Sequence, residues 1–232
     1  VLAYNLRTDA GNRRHRGYLP TSHSAATPGE EQAMHHPNPW RDLVLGAVGG
    51  LAGTLAMGCY FTAVRALNKA RQRDQERQDE QPSHDTAPVS GPLADIALLG
   101  PFYEAGENST QAVGRWLYRQ LTGHDLQSDE TKSLLSELVH WSFGTSQGAL
   151  YGLGRGQQTG LDLSGGLLFG SAVWLLASEL AGPGLGFAPG PGAQPASKHA
   201  LEWGAHLVYG VGVAATMQTL ARLLPRSPQT RE

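Results

Sequence analysis

The sequence predicts an all-α, polytopic membrane protein: a four-helix transmembrane bundle with a disordered N-terminal tail and a short amphipathic helix before the second span. Three observations carry that expectation. Residues 43–64, LVLGAVGGLAGTLAMGCYFTAV, run for 22 positions without a charge, which at about 1.5 Å per residue matches a hydrocarbon core of roughly 30 Å. Three further apolar segments follow, separated by polar or Gly/Pro-rich stretches. Thirty of the 232 residues are glycine, and many lie inside the apolar segments, where water-soluble helices avoid them.

Residues 1–40 show no usable periodicity and read as a disordered tail. Met34 stands just before the first apolar run. Residues 1–33 are therefore expected to be either an over-extended reading frame or a dispensable tail. The first transmembrane helix is expected over 41–66, bracketed by Arg41, Asp42 and Arg65. A polar linker follows over 67–127, opening with the charged, Gln- and Pro-rich NKARQRDQERQDEQPSHDTAPVSGP. Within it, TQAVGRWLYRQLTG places Val113, Trp116, Leu117 and Leu121 at helical spacing and ends at Gly123. This amphipathic helix either packs on the protein or lies among lipid headgroups.

Residues 128–224 are expected to form a three-helix transmembrane region. Ser128 can cap its first helix, with Asp129 and Glu130 in the opening turn, and the helix runs to about Gly154. LSGGLLFGSAVWLLAS, 163–178, is the third span, and GPGLGFAPGPGAQP must be a loop. Ser197 is a candidate cap for a last helix that crosses from Trp203 to about Leu224, and 225–232 is a tail.

Lipid tails are as apolar as leucine, so helices in a membrane are held by close backbone approach, dispersion and interhelical hydrogen bonds. Small residues four apart permit that approach. Gly46/Gly50 and Gly49/Gly53 provide it in the first span, Gly144/Gly148/Gly152 in the second, Gly166/Gly170 in the third and Gly210/Ala214 in the fourth. His140 precedes Gly144 by four residues and His206 precedes Gly210 by four. Both rings are thus expected on a seam that faces another helix.

Glu137, His140, Gln147, Glu179, Glu202 and His206 form the expected polar intramembrane cluster. Ionisable groups in a bilayer face partners, water or an interface. Three readings follow. The groups hold helices together; they line a path for protons or a small solute through His140 and His206; or they ligate a metal. Only Glu137-x-x-His140 has the Glu-x-x-His spacing of di-iron bundles, and no full carboxylate set accompanies it, so no metal site is assigned. His199, seven before His206, is expected at the surface.

YRQLTGHDL, VHWSFGTSQGALYG, GSAVWLLASELAGPGLGFAP and AHLVYG occur in the order found in the YagU-like family of bacterial inner-membrane proteins, which the chain resembles over about 42–224. That family is a domain of unknown function. The resemblance implies a multi-pass protein of the inner (cytoplasmic) membrane and supplies no reaction.

No nucleophile elbow, phosphate loop, zinc-type cysteine pair or dinucleotide fingerprint is present, and no cofactor is implied. A lipoprotein signal ending at Cys59 is disfavoured by Ala56 and by the apolar residues that continue past it. The net charge of −2 gives no basic field for nucleic acid. The expected partners are the lipid bilayer and a second copy or another membrane protein. Four spans place both termini on one side. Arg41, Arg155, Arg222, Arg226 and Arg231 place that side in the cytoplasm. Arg65, Lys69, Arg71, Arg73 and Arg77 argue the opposite, but on a connection of over sixty residues, where the charge rule weakens. The expected function is that of a structural or interaction protein with tightly packed glycine-seam helices, with a small transporter or proton path as the alternative.

Overall fold

The computed structural model describes residues 38–76, 91–94, 96–155 and 163–224. The expected tails (1–33 and 225–232) and the middle of the linker lie outside the described residues.

The described chain is all-helical. Helix α1 spans Pro39–Glu76, α2 Ser109–Thr122 and α3 Asp129–Arg155. Helix α4, Leu163–Val173, passes without a break into a π-helical segment, Trp174–Ala181, and then into a single turn, α5, Gly182–Gly184. A 3-10 turn at Pro191–Ala193 precedes α6, Ala196–Leu223. Two stretches, Pro39–Arg73 and Leu163–Gly184, are long and apolar enough to cross a membrane.

Helix α1 is central. One of its faces meets α3 and the other meets α6, each antiparallel to it, so α3 and α6 run parallel to each other. Helix α4 lies antiparallel on the far side of α6, and α2 leans on α3. Glycine sets these approaches. Gly46 and Gly50 of α1 oppose Gly148, Gly152 and Gly144 of α3, and a Cβ at Gly148 would stand only 2.5 Å from the Gly50 Cα. Gly49 and Gly53, on the other side of α1, meet Val213 and Tyr209 of α6, while Gly166 and Gly170 of α4 meet Gly210 and the His206 carbonyl. The interior is therefore made largely of backbone and small side chains, with a compact knot where Met57, Tyr209 and Val213 close around Ala205.

Large apolar residues lie on the outside. Val44, Val48, Leu51 and Leu55 of α1, Leu134, Leu138 and Leu150 of α3, and Leu167, Leu168, Leu175 and Leu176 of the α4 stretch are all exposed. At one end of the bundle the Arg41 guanidinium donates to the Leu224 carbonyl at 2.6 Å, tying the start of α1 to the end of α6. At the other end two loops are joined through their backbones: Leu98 N–H donates to Gly184 O, Phe102 N–H to Gly186 O, Gly190 N–H to Ala94 O and Gly91 N–H to Gly192 O. Phe187 packs between Phe102 and Trp116 beneath this cap.

Three boundaries differ from the sequence expectation. Helix α1 does not stop near residue 66 but continues through RALNKARQRDQE to Glu76, because that stretch is rich in good helix formers and has no Gly or Pro. The third helix passes Ser178 as a π-helix; Pro183 has no N–H and its ring crowds the carbonyl four residues back, and Gly182 N–H bonds instead to Ala177 O, five residues back. The cap of α6 is Pro195, whose extended backbone (φ −71°, ψ 149°) delivers the chain into the helix, and Ser197 lies inside the first turn. Ser128 does accept from Thr131 N–H at 3.3 Å at the start of α3. Asn108 builds a reciprocal capping box with Gln111 for α2, which ends on left-handed Gly123 (φ 72°).

Candidate functional site

The polar groups of the bundle fall into two sets along α6. Glu179 projects from the π-helical segment and is only 8% exposed. Its Oε1 lies 2.7 Å from His199 Nδ1, and His199 Nε2 lies 3.0 Å from the Pro191 carbonyl oxygen. His199 thus bridges the π-helical segment and the 3-10 turn of the cap. Its side chain is 24% exposed, so it stands at the surface but is partly covered where the loop folds back to the ring. The hydrogen bond to Glu179 holds the His199 imidazole above its usual pKa of 6.5, against partial burial. Glu202 is half-buried one turn further along α6, with Lys198 Nζ at 3.8 Å, and is within electrostatic range of both Glu179 and His199.

The second set lies deeper. His206 Nδ1 is 2.7 Å from the Glu202 carbonyl of its own helix, so this ring bonds along α6. His140, half-buried on α3, is within electrostatic range of His206. Gln147 is half-buried on α3 two turns on. Glu137 is exposed, accepts from Trp141 Nε1 at 3.2 Å, and is within electrostatic range of His140. Among the described residues no three His, Cys, Asp or Glu side chains converge as metal ligands, and Glu137-x-x-His140 gains no third donor.

Sequence reasoning weighed His199 but missed its pairing with Glu179. It missed Tyr209, 2% exposed, whose hydroxyl donates to the Gly144 carbonyl at 2.6 Å and so ties α6 to α3 across the edge of α1. Its place one residue before Gly210, on the small-residue seam, is the signal that could have found it. Trp203 Nε1, donating to Ser171 Oγ at 3.0 Å, makes the corresponding tie between α6 and α4.

Outside the helical bundle, Glu107 anchors a separate charged clamp. Its carboxylate accepts from Arg115 Nε and Nη2, each at 2.9 Å, and pairs with Lys132 Nζ at 2.6 Å. Arg115 also reaches the Phe102 carbonyl at 2.6 Å and Glu104 at 3.2 Å. Burial pushes the Glu107 carboxyl up, but the hydrogen bonds from Arg115 and Lys132 outweigh it and bring the pKa down to about 2. The clamp joins α2, α3 and the 102–107 turn into one unit.

No family model, curated protein or solved structure matches the chain. Chemically, the site offers imidazole–carboxylate pairs that can hold or exchange protons, and polar ties between helices.

Proposed function

We propose that this is a four-span integral protein of a bacterial inner membrane, related to the YagU-like proteins it resembles. On this reading its role is structural or interactive, its termini are cytoplasmic, and its helices are held by glycine seams. The distribution of residue sizes carries the reading. A soluble bundle buries its leucines and exposes its polar residues. Here glycine, alanine and threonine line the contacts of α1, α3, α4 and α6, while leucine and valine face outward on α1, α3 and α4. The pattern extends to α3, although its polar residues keep it out of the two stretches apolar enough to cross a membrane by composition. Lipid is the solvent that stabilises such an outside, and close backbone packing is the force it leaves to the inside. Washing membranes with alkaline carbonate should leave the protein in the pellet, and detergent should release it. Recovery as a soluble monomer would overturn the reading.

A second reading is favoured by the proximity of His140 to His206: a small transporter or proton path. Under it, His140→Gln leaves the fold intact and abolishes a proton or cation flux in proteoliposomes. Under the structural reading no flux exists to lose, and the same substitution is mild.

A further inference from the structure

His199 sits between two acceptors. The Pro191 carbonyl oxygen can only accept, so Nε2 must carry a hydrogen to make the 3.0 Å contact. The Nδ1 to Glu179 Oε1 contact, at 2.7 Å, also needs a proton, carried by either the ring or the carboxyl. Both contacts can exist together only while the Glu179–His199 pair holds that second proton. If it is lost to solvent, one ring nitrogen keeps a hydrogen and the other turns a lone pair toward an oxygen lone pair. One of the two contacts must then open.

Where this happens gives the proton count a consequence. Pro191 begins the 3-10 turn that is joined on both sides to the 91–94 strip: Gly91 N–H donates to Gly192 O at 3.0 Å, and Gly190 N–H to Ala94 O at 3.0 Å. Gly190 and Gly192 lie so close to Leu93 and Pro92 that a Cβ at either would collide with their carbonyls. The strip cannot stay in place if Pro191 shifts. Leu93 is held at φ +67°, a left-handed backbone that leucine adopts only under constraint from its surroundings. Glu179 belongs to the π-helical segment, a local geometry that recurs where helices carry a function.

We infer that Glu179 and His199 form a proton-operated latch that fastens the 184–194 loop, and through it the 91–94 strip, to the π-helical segment of the bundle. The charged groups facing His199 are Glu179 from the π-helical segment and Glu202 from its own helix, with Lys198 paired to Glu202; the loop contributes the Pro191 carbonyl. The imidazole is held above its ordinary pKa of 6.5 in the folded protein. The latch is therefore at full strength below that value and weakens as pH rises through the folded one.

The test uses the full chain in nanodiscs, with amide hydrogen exchange corrected for the intrinsic pH dependence of exchange. As pH rises from about 6 to about 9, across the histidine range, protection at Gly91, Gly190 and Gly192 should fall on the order of tenfold. Protection in the middle of α1 should not change. Glu179→Gln should abolish the transition and keep the loop protected, because its amide N–H can donate to a neutral Nδ1 while Nε2–H still serves Pro191. His199→Ala should show low protection at every pH. Flat protection in the natural chain, an unaltered transition in Glu179→Gln, or natural protection in His199→Ala would each overturn the latch. Should Glu179→Gln fail to fold, the nitrogen-15 shifts of His199 in the natural chain decide. A second proton that stays on the pair above pH 6.5, as an imidazolium or as a protonated Glu179 carboxyl read from its carbon-13 shift, supports the latch; a neutral ring beside an ionised Glu179 below that value overturns it.

Discussion

The Tyr209 hydroxyl is a long-range tie in the bundle interior, joining α6 to the Gly144 carbonyl of α3. That carbonyl sits within a regular helix and keeps its own helical partner, so removing the hydroxyl does not orphan it. Tyr209→Phe should therefore cost only about 0.5–1.5 kcal/mol. Tyr209→Ala empties the central knot beside Met57 and Val213 and should cost about 3–5 kcal/mol. Reversible unfolding in mixed micelles measures both, and equal losses would show that the hydroxyl, not the ring, dominates. Glu107 gives a pH dependence with a fixed sign. Its folded pKa of about 2 is below the ordinary 4.5, so its stabilisation is present above pH 4.5 and fades as pH falls toward 2. Hydrogen exchange should show α2 loosening from α3 across that window, and Glu107→Gln should remove the dependence. The sequence reveals such residues unevenly. His140-x-x-Phe143 and His206-x-x-Tyr209 read as one repeated figure, yet Phe143 is 40% exposed and Tyr209 2%. Spacing fixes the face of a helix that a residue occupies; whether a neighbour covers that face depends on the other helices.

At the scale of the element, the two glycine faces of α1 make it the axis of the fold. Gly58, on the same helix, has no heavy atom within 4 Å of a built Cβ, while Gly148 opposes the Gly46 and Gly50 backbones. Alanine at the two positions should therefore act in opposite directions. Gly148→Ala forces α3 away from α1 and should destabilise by about 1–3 kcal/mol. Gly58→Ala should be neutral or stabilise by up to about 1 kcal/mol through helix propensity. Gly148→Leu should abolish assembly altogether. Similar effects at the two sites, in the same unfolding assay, would refute the seam. The seams were readable because four-residue spacing is a property of one helix. Their pairing was not: nothing local says that Gly46 and Gly50 meet α3 while Gly49 and Gly53 meet α6. The π-helical segment was hidden for a related reason. Pro183 announces a disturbance, but the chain can answer with a stop, a kink or a wider turn, and the bond from Gly182 N–H to Ala177 O selects the wider turn. That choice aims Glu179 at His199, so the pair could not be read before the turn was known.

For the molecule as a whole, the decisive property is which solvent its outer leucines meet, and the chain carries its own reporter. Cys59 is the single cysteine and is exposed on the surface of α1, within the uncharged run 43–64. Five residues separate it from the end of that run, about 8 Å along a helix, which places it inside the hydrocarbon if α1 crosses a bilayer. Exposure to lipid and exposure to water then predict opposite chemistry, because a thiol reacts as its thiolate and burial in apolar surroundings suppresses that form. In intact membranes Cys59 should resist a charged, water-soluble maleimide and react once the protein is denatured in detergent. A small apolar maleimide, which partitions into the bilayer, should find it more readily. As a control, Glu104→Cys combined with Cys59→Ser places a thiol at an exposed position of the 102–107 turn, where it should label at once. Rapid labelling of Cys59 by the charged reagent in sealed, intact vesicles would mean that the outer face of α1 is wet, and the outward leucines would then need a protein partner in place of lipid.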